Sequence, residues 1–216
     1  MDSSASRFQP MNMDMQQMSE QSFFELIRDA AQWHLAALLL LPPSASRKCE
    51  IQSLLREIQD PALFRIAENW CSDPTTEEYF RIVYPGGQVS LRAVSYLPLV
   101  SPGEMLATLE ELYDRMGYRN STEEPPDHLA VLADFYAFLS LRAAYMVANQ
   151  RQNEFLSFIH LRDDLAVHYL LPVLSSLVEK LQNHQTSSLR ATVEWMRDVL
   201  HPSACHNLSP PSQVSD

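Results

Sequence analysis

Two groups of residues in this 216-residue chain place chemistry-bearing side chains at helical spacing. His160, Asp164 and His168 lie four and eight residues apart, which sets them on one face of a helix with Asp163 alongside. Two imidazoles and a carboxylate are a zinc- or iron-type donor set. Ligands four apart usually come as one pair with a third from elsewhere, so the plainer alternative is a polar face holding a His–Asp pair. The second group is Glu123, Glu124, Asp127 and His128. Asp127 is placed to cap the helix that follows, and acids near a helix start suit its positive end. The alternative is an anionic rim with one imidazole, fit to grip a guanidinium by charge-assisted hydrogen bonds.

Nucleophilic chemistry has little to build on. No G-x-S-x-G turn occurs. Cys49, Cys71 and Cys205 are odd in number and widely spaced, unlike a disulfide framework or a C-x-x-C metal site, and a reducing compartment is expected. His201, Cys205 and His206 put soft ligands close together, but in a Pro- and Ser-rich segment. Asn120-Ser121-Thr122 and Asn207-Leu208-Ser209 fit a glycosylation sequon. Residues 1–20, however, carry neither a basic n-region nor an apolar core, so no secretory signal is expected. The longest apolar run, 35–41, is too short to span a bilayer and meets Pro42-Pro43. The expected location is the cytoplasm, without membrane insertion.

Charge narrows the partners. Sixteen Lys and Arg against 27 Asp and Glu give a formal net charge of −11, which disfavours nucleic acid and anionic membranes and suits a cationic partner. Only 4 glycines occur and no phosphate-loop motif, so no nucleotide fold and no cofactor are expected. Instead 14 prolines separate runs rich in Leu, Ala, Glu and Met, and 46% apolar residues are enough for one core. The expected fold is all-α: a single globular domain of about eight to ten helices over 19–201. Disordered tails are expected at 1–18, with five methionines, and at 202–216.

The elements that must position these groups follow from apolar periodicity. Helices are expected over 22–41 and 46–59, then from Pro61 as a first helical residue, and from Thr75-Thr76 onward. The segment 84–99 breaks the pattern: Pro85-Gly86-Gly87 precedes an alternation of Val89, Leu91, Val94, Tyr96, Leu97 and Leu99. With no partner strand in view it reads as an ordered loop packed across helices, and such loops often carry function. Ser101-Pro102-Gly103-Glu104 predicts a capping box. A stripe of Leu106, Leu109, Leu112, Tyr113 and Met116 follows, and Gly117 forms a left-handed stop. A long helix runs from the Pro125-Pro126-Asp127-His128 segment to about Asn149. The pieces 153–161 and 163–181 are two helices or one, with Pro172 as a kink, and Ser187 or Ser188 caps a last helix to Leu200.

At Glu124-Pro125-Pro126-Asp127-His128-Leu129 the chain resembles the E-P-x-D-H-L signature of the TorD/DmsD/NarJ family of molybdoenzyme maturation chaperones. Upstream, Tyr79-Phe80-Arg81-Ile82-Val83, the Pro85-Gly86-Gly87 loop, Ser95-Tyr96-Leu97 and the capped helix ending at Gly117 fall in the family's order. Downstream, His168-Tyr169-Leu170-Leu171-Pro172 resembles its His-Leu-x-x-Trp element, with Pro172 or Val173 where the family has tryptophan. Val94 stands where the family often has Glu or Gly. The resemblance covers about 22–200. It implies an all-helical, non-enzymatic protein with no metal or catalytic residue. The implied partner is the catalytic subunit of a molybdenum-cofactor oxidoreductase. The chaperone binds that subunit's twin-arginine signal peptide, holds the apoenzyme until the cofactor is inserted, and delays export. The residues it implies for the signal peptide are Tyr96, Glu124, Pro125, Asp127, His128 and His168. Glu124 and Asp127 would form the acid rim, and His128 would hold the loop or touch the peptide. Long loops could also serve as hinges for a helix-swapped homodimer. The competing reading from residues alone is an all-α metal-dependent hydrolase using Asp127, His128, His160, Asp164 and His168.

Overall fold

The computed structural model describes residues 10–72, 76–83, 89–97, 101–183 and 188–201. Its centre is α6 (Leu129–Ala148), whose residues are apolar almost all round, as a helix covered on several sides must be. Leu129, Leu132, Phe135, Leu139 and Ala143 are fully buried. Burial of a ring such as Phe135 stabilises the fold by roughly 2–3 kcal/mol. By length and hydropathy α6 could cross a membrane, but 67% of its apolar window is buried inside the fold.

Helix α1 (Pro10–Leu39) lies antiparallel along α6. The pairing is read from Asp29 with Ser140, Trp33 with Tyr136 and His34 with Asp134. α1 starts well before the expected Ser22, with Pro10 at its first position. Part of the segment read as a tail is therefore helical, while residues 1–9 lie outside the described residues. Its far end stops where i→i−3 bonds from Leu40 and Leu41 tighten the last turn ahead of the two prolines. α7 (Gln152–Leu165) covers another side of α6. Arg162 clamps the three helices together: its Nη1 donates to Asp29 Oδ2 at 3.0 Å and its guanidinium lies 5.2 Å from the Tyr136 ring. Burial pushes the Asp29 carboxyl up, against the opposing pull of Arg162 and Ser140.

The remaining helices close the core. α2 (Ala45–Leu54) is shorter than expected, and Ile58 is buried beyond its end. α3 (Pro61–Ser72) opens at its proline as expected, with Asp60 Oδ1 accepting from the Ala62 and Leu63 amides. α4 (Thr76–Val83) precedes the loop segment, of which 84–88 and 98–100, including Pro85-Gly86-Gly87, lie outside the described residues. α5 (Pro102–Met116) ends at Gly117, whose φ of 71° is the left-handed stop expected. Its N-terminal capping box does not form: with φ −61° and ψ 128°, Ser101 makes no side-chain cap bond, and only its carbonyl joins the helix, accepting from Met105. Of the expected stripe, Leu109 and Tyr113 are buried and Leu112 and Met116 pack partly buried against the core, joined by buried Met105. α8 (Leu171–Lys180) and α9 (Ser188–Leu200) pack on each other, and α9 also on α3 and α1.

Candidate functional site

Asp127 does not cap α6. It is fully buried and turned toward residues 89–97. Its Oδ1 accepts from Arg92 Nε at 2.6 Å and its Oδ2 from the Val94 amide at 3.1 Å. The Asp127 carbonyl accepts from the Ala93 amide, and the Leu129 amide donates to the Leu91 carbonyl. Arg92 and His128 thus form an isolated antiparallel bridge. The expected alternation holds at Val89 and Leu91 but continues into the core through Ala93, with Val94, Tyr96 and Leu97 only half-buried. It serves a loop packed across helices, with a single 3-10 turn at Ala93–Ser95. Because Asp127 has no exposed surface, it cannot form part of an acid rim, and the rim expected from the sequence reduces to Glu124 and its neighbours.

His128 is the N-cap instead. Its Nδ1 accepts from the Ala130 amide at 3.2 Å, which leaves the ring proton on Nε2, and Nε2 faces Glu124 Oε2 at 3.7 Å. Burial pushes its pKa down to about 4, with Arg92 assisting and Asp127 opposing. A neutral, buried imidazole of this kind caps and spaces; it is not poised to exchange protons near pH 7. The segment ahead of it is held by its own bonds. Tyr113 Oη donates to the Pro126 carbonyl, Asn120 Nδ2 to the Glu124 carbonyl, and the His128 amide to the Pro125 carbonyl.

Glu124 forms part of the wall of a cleft of about 430 Å³ between the end of α1, the start of α2 and the 121–124 loop. Glu50, Glu123, Glu124 and Asp134 line it, against Arg47 and His34, with Leu38, Leu41 and Pro42 as apolar wall. His34 Nδ1 and Asp134 Oδ1 are 2.6 Å apart, and Nε2 is 3.9 Å from Glu50 Oε1. The hydrogen bond to Asp134 pushes the His34 pKa up, outweighing desolvation. Tyr118 Oη donates to the second Asp134 oxygen at 2.7 Å. The cleft is a net anionic surface beside apolar side chains. Sequence reading passed over His34, Glu50 and Asp134. Asp134 offered the one signal, as the sole acid in the apolar run of α6.

The other expected residues do not line this cleft. Tyr96 donates to the Ser90 carbonyl at 2.6 Å, and Lys180 Nζ sits 4.5 Å from its ring centroid. Burial raises the Tyr96 pKa to about 12. His160, Asp164 and His168 are all exposed. A π-helical turn at Ala166–Leu170, closed by the Leu171 amide on the Ala166 carbonyl, adds a residue to the repeat and contains His168. That turn, rather than a simple kink, accommodates Pro172, which falls in the first turn of α8. Among the described residues, no group of three or more His, Cys, Asp or Glu could hold a metal ion, so the metal-dependent hydrolase finds no site. Cys205 and His206 lie outside the described residues.

A family model described as nitrate reductase delta subunit matches residues 49–165, which contain the whole of the Arg92–Asp127–His128 corner. No curated protein matches the chain. The match spans more than half of the sequence, and the chain belongs to the nitrate reductase delta subunit family, the NarJ/TorD-type molybdoenzyme maturation chaperones.

Proposed function

We propose that this chaperone acts in the cytoplasm, without catalytic turnover, and binds the twin-arginine leader and apo form of a molybdenum-cofactor oxidoreductase's catalytic subunit. It would hold that subunit until the cofactor is inserted and so delay its export. The observation that carries the reading is the acidic cleft joined through Glu124 to the E-P-P-D-H-L corner. Such a leader is basic and then apolar. Glu50, Glu123 and Glu124 offer carboxylates to a guanidinium, and Leu38, Leu41 and Pro42 offer an apolar wall. Half-buried Tyr96 and exposed His168 are further contacts assigned to the client, with Pro125 and His128 shaping the turn.

The test is titration of the full-length protein with a synthetic peptide of two adjacent arginines followed by an apolar stretch. Glu123→Gln combined with Glu124→Gln should weaken binding about tenfold, and added salt should weaken it further. An affinity indifferent to both, or to replacing the two arginines with glutamine, would sink the assignment of this cleft.

A further inference from the structure

We infer that Arg92 is a positioning residue for leader binding: paired with Asp127, it fixes residues 89–97 as a strap across the start of α6, and the motif's acid acts on the leader through this strap without touching it. The inference rests on the chaperone reading above. Every polar group of Asp127 available for recognition is already engaged by the strap. Oδ1 meets Arg92 Nε, Oδ2 meets the Val94 amide, and the carbonyl meets the Ala93 amide. With no exposed surface, the carboxylate meets a foreign guanidinium only if the strap lifts away.

The strap has two faces. Val89, Leu91 and Ala93 anchor it below, while Arg92, Val94, Ser95, Tyr96 and Leu97 are half-buried or exposed. Ser95 and Tyr96 bond back to Ser90, and Lys180 of α8 rests on the Tyr96 ring, so both ends are tied. Arg92 is the cation that balances the buried carboxylate, and its side chain is 37% exposed, so it can be replaced without opening a core cavity. Without it the Asp127 carboxylate keeps a buried charge with only the Val94 amide donating to it, and the strap loosens. The leader reading puts one of its contacts on this strap, at Tyr96, so binding must then re-order the strap, and that ordering subtracts from affinity.

The test measures binding of the same synthetic leader to full-length wild type, Arg92→Ala, Asp127→Ala and the double variant, together with amide hydrogen exchange at residues 91–94. Each single variant should weaken binding about tenfold and speed exchange at Val94, while the helical circular dichroism stays. The double variant should bind no worse than the weaker single, because both act through one element. Arg92→Lys should recover most of the affinity, which a mere loss of stability would not explain. If Asp127→Ala lowers affinity as much in the Arg92→Ala background as alone, the carboxylate contacts the leader directly and the inference is wrong. Unchanged affinity in Arg92→Ala overturns it equally. A wild type that never binds the peptide overturns the chaperone reading and, with it, this role of Arg92. Should Asp127→Ala fail to fold, Arg92→Ala and Arg92→Lys decide by affinity and Val94 exchange alone.

Discussion

Two places in this chain set a carboxylate four residues from an imidazole: Glu124 with His128, and Asp164 with both His160 and His168. At the first, a segment distant in sequence closes over the histidine. Residues 91–94 bond to 127–129 and His128 loses its water, while α1, α2 and residues 121–124 set Glu124 in the wall of a cleft. At the second, nothing closes. The side chains stand in solvent, and the third member, His168, falls within a π-helical turn. Spacing alone thus supplies a face. A site requires a second element that removes water and fixes direction, since both burial and pairing change what a titratable group does.

The largest difference should appear in stability. Asp127→Ala removes a buried ion pair and leaves the Val94 amide without an acceptor, at a cost of about 2–4 kcal/mol. Asp164→Ala alters an exposed side chain and should stay within about 0.5 kcal/mol of wild type. Urea unfolding followed by circular dichroism measures both. Equal costs would break the contrast between the two regions.

Acid titration sharpens it. The folded pKa of His128, about 4, lies below the ordinary value of 6.5. As pH falls from 6.5, the unfolded chain takes up this proton first. Stability from the neutral ring is therefore complete above about 6.5 and lost toward pH 4, by up to about 3 kcal/mol. His34 tilts the other way. Its folded pKa is raised by Asp134, so its contribution is full below 6.5 and fades as pH rises through the folded value. In unfolding measured against pH, His128→Gln should flatten the acid limb and His34→Gln the alkaline one. If the acid limb keeps its slope in His128→Gln, the buried neutral imidazole is not its source.

Much of this architecture was readable in order along the chain. Pro61 opened a helix, Gly117 closed one in the left-handed region, and the E-P-P-D-H-L segment introduced the central helix. What could not be read was direction across the fold. Asp127 looks like a cap because its sequence neighbours are helical, yet Arg92, 35 positions away, claims its carboxylate. His34 and Asp134 are 100 positions apart, and no local pattern pairs them. Pro172 signalled an interruption, but whether a kink or a π-turn absorbs its missing N–H depends on how α6 and α9 pack against that stretch.

The smallest effect carries the same contrast down to single hydroxyls at helix starts. Ser44 has extended backbone, φ −148° and ψ 159°, and its Oγ accepts from the Arg47 amide at 3.2 Å. Ser101 carries the stronger sequence signature, with proline and glutamate following, but makes no such bond. Ser44→Ala should cost about 1 kcal/mol, the usual effect of losing an N-cap, and Ser101→Ala no more than about 0.3 kcal/mol. Thermal unfolding of the two variants side by side resolves that gap. A Ser101 variant as destabilised as the Ser44 variant would mean that the capping box does form in solution. The backbone at Ser101 would then have to differ from φ −61°, and with it the direction in which the chain enters α5.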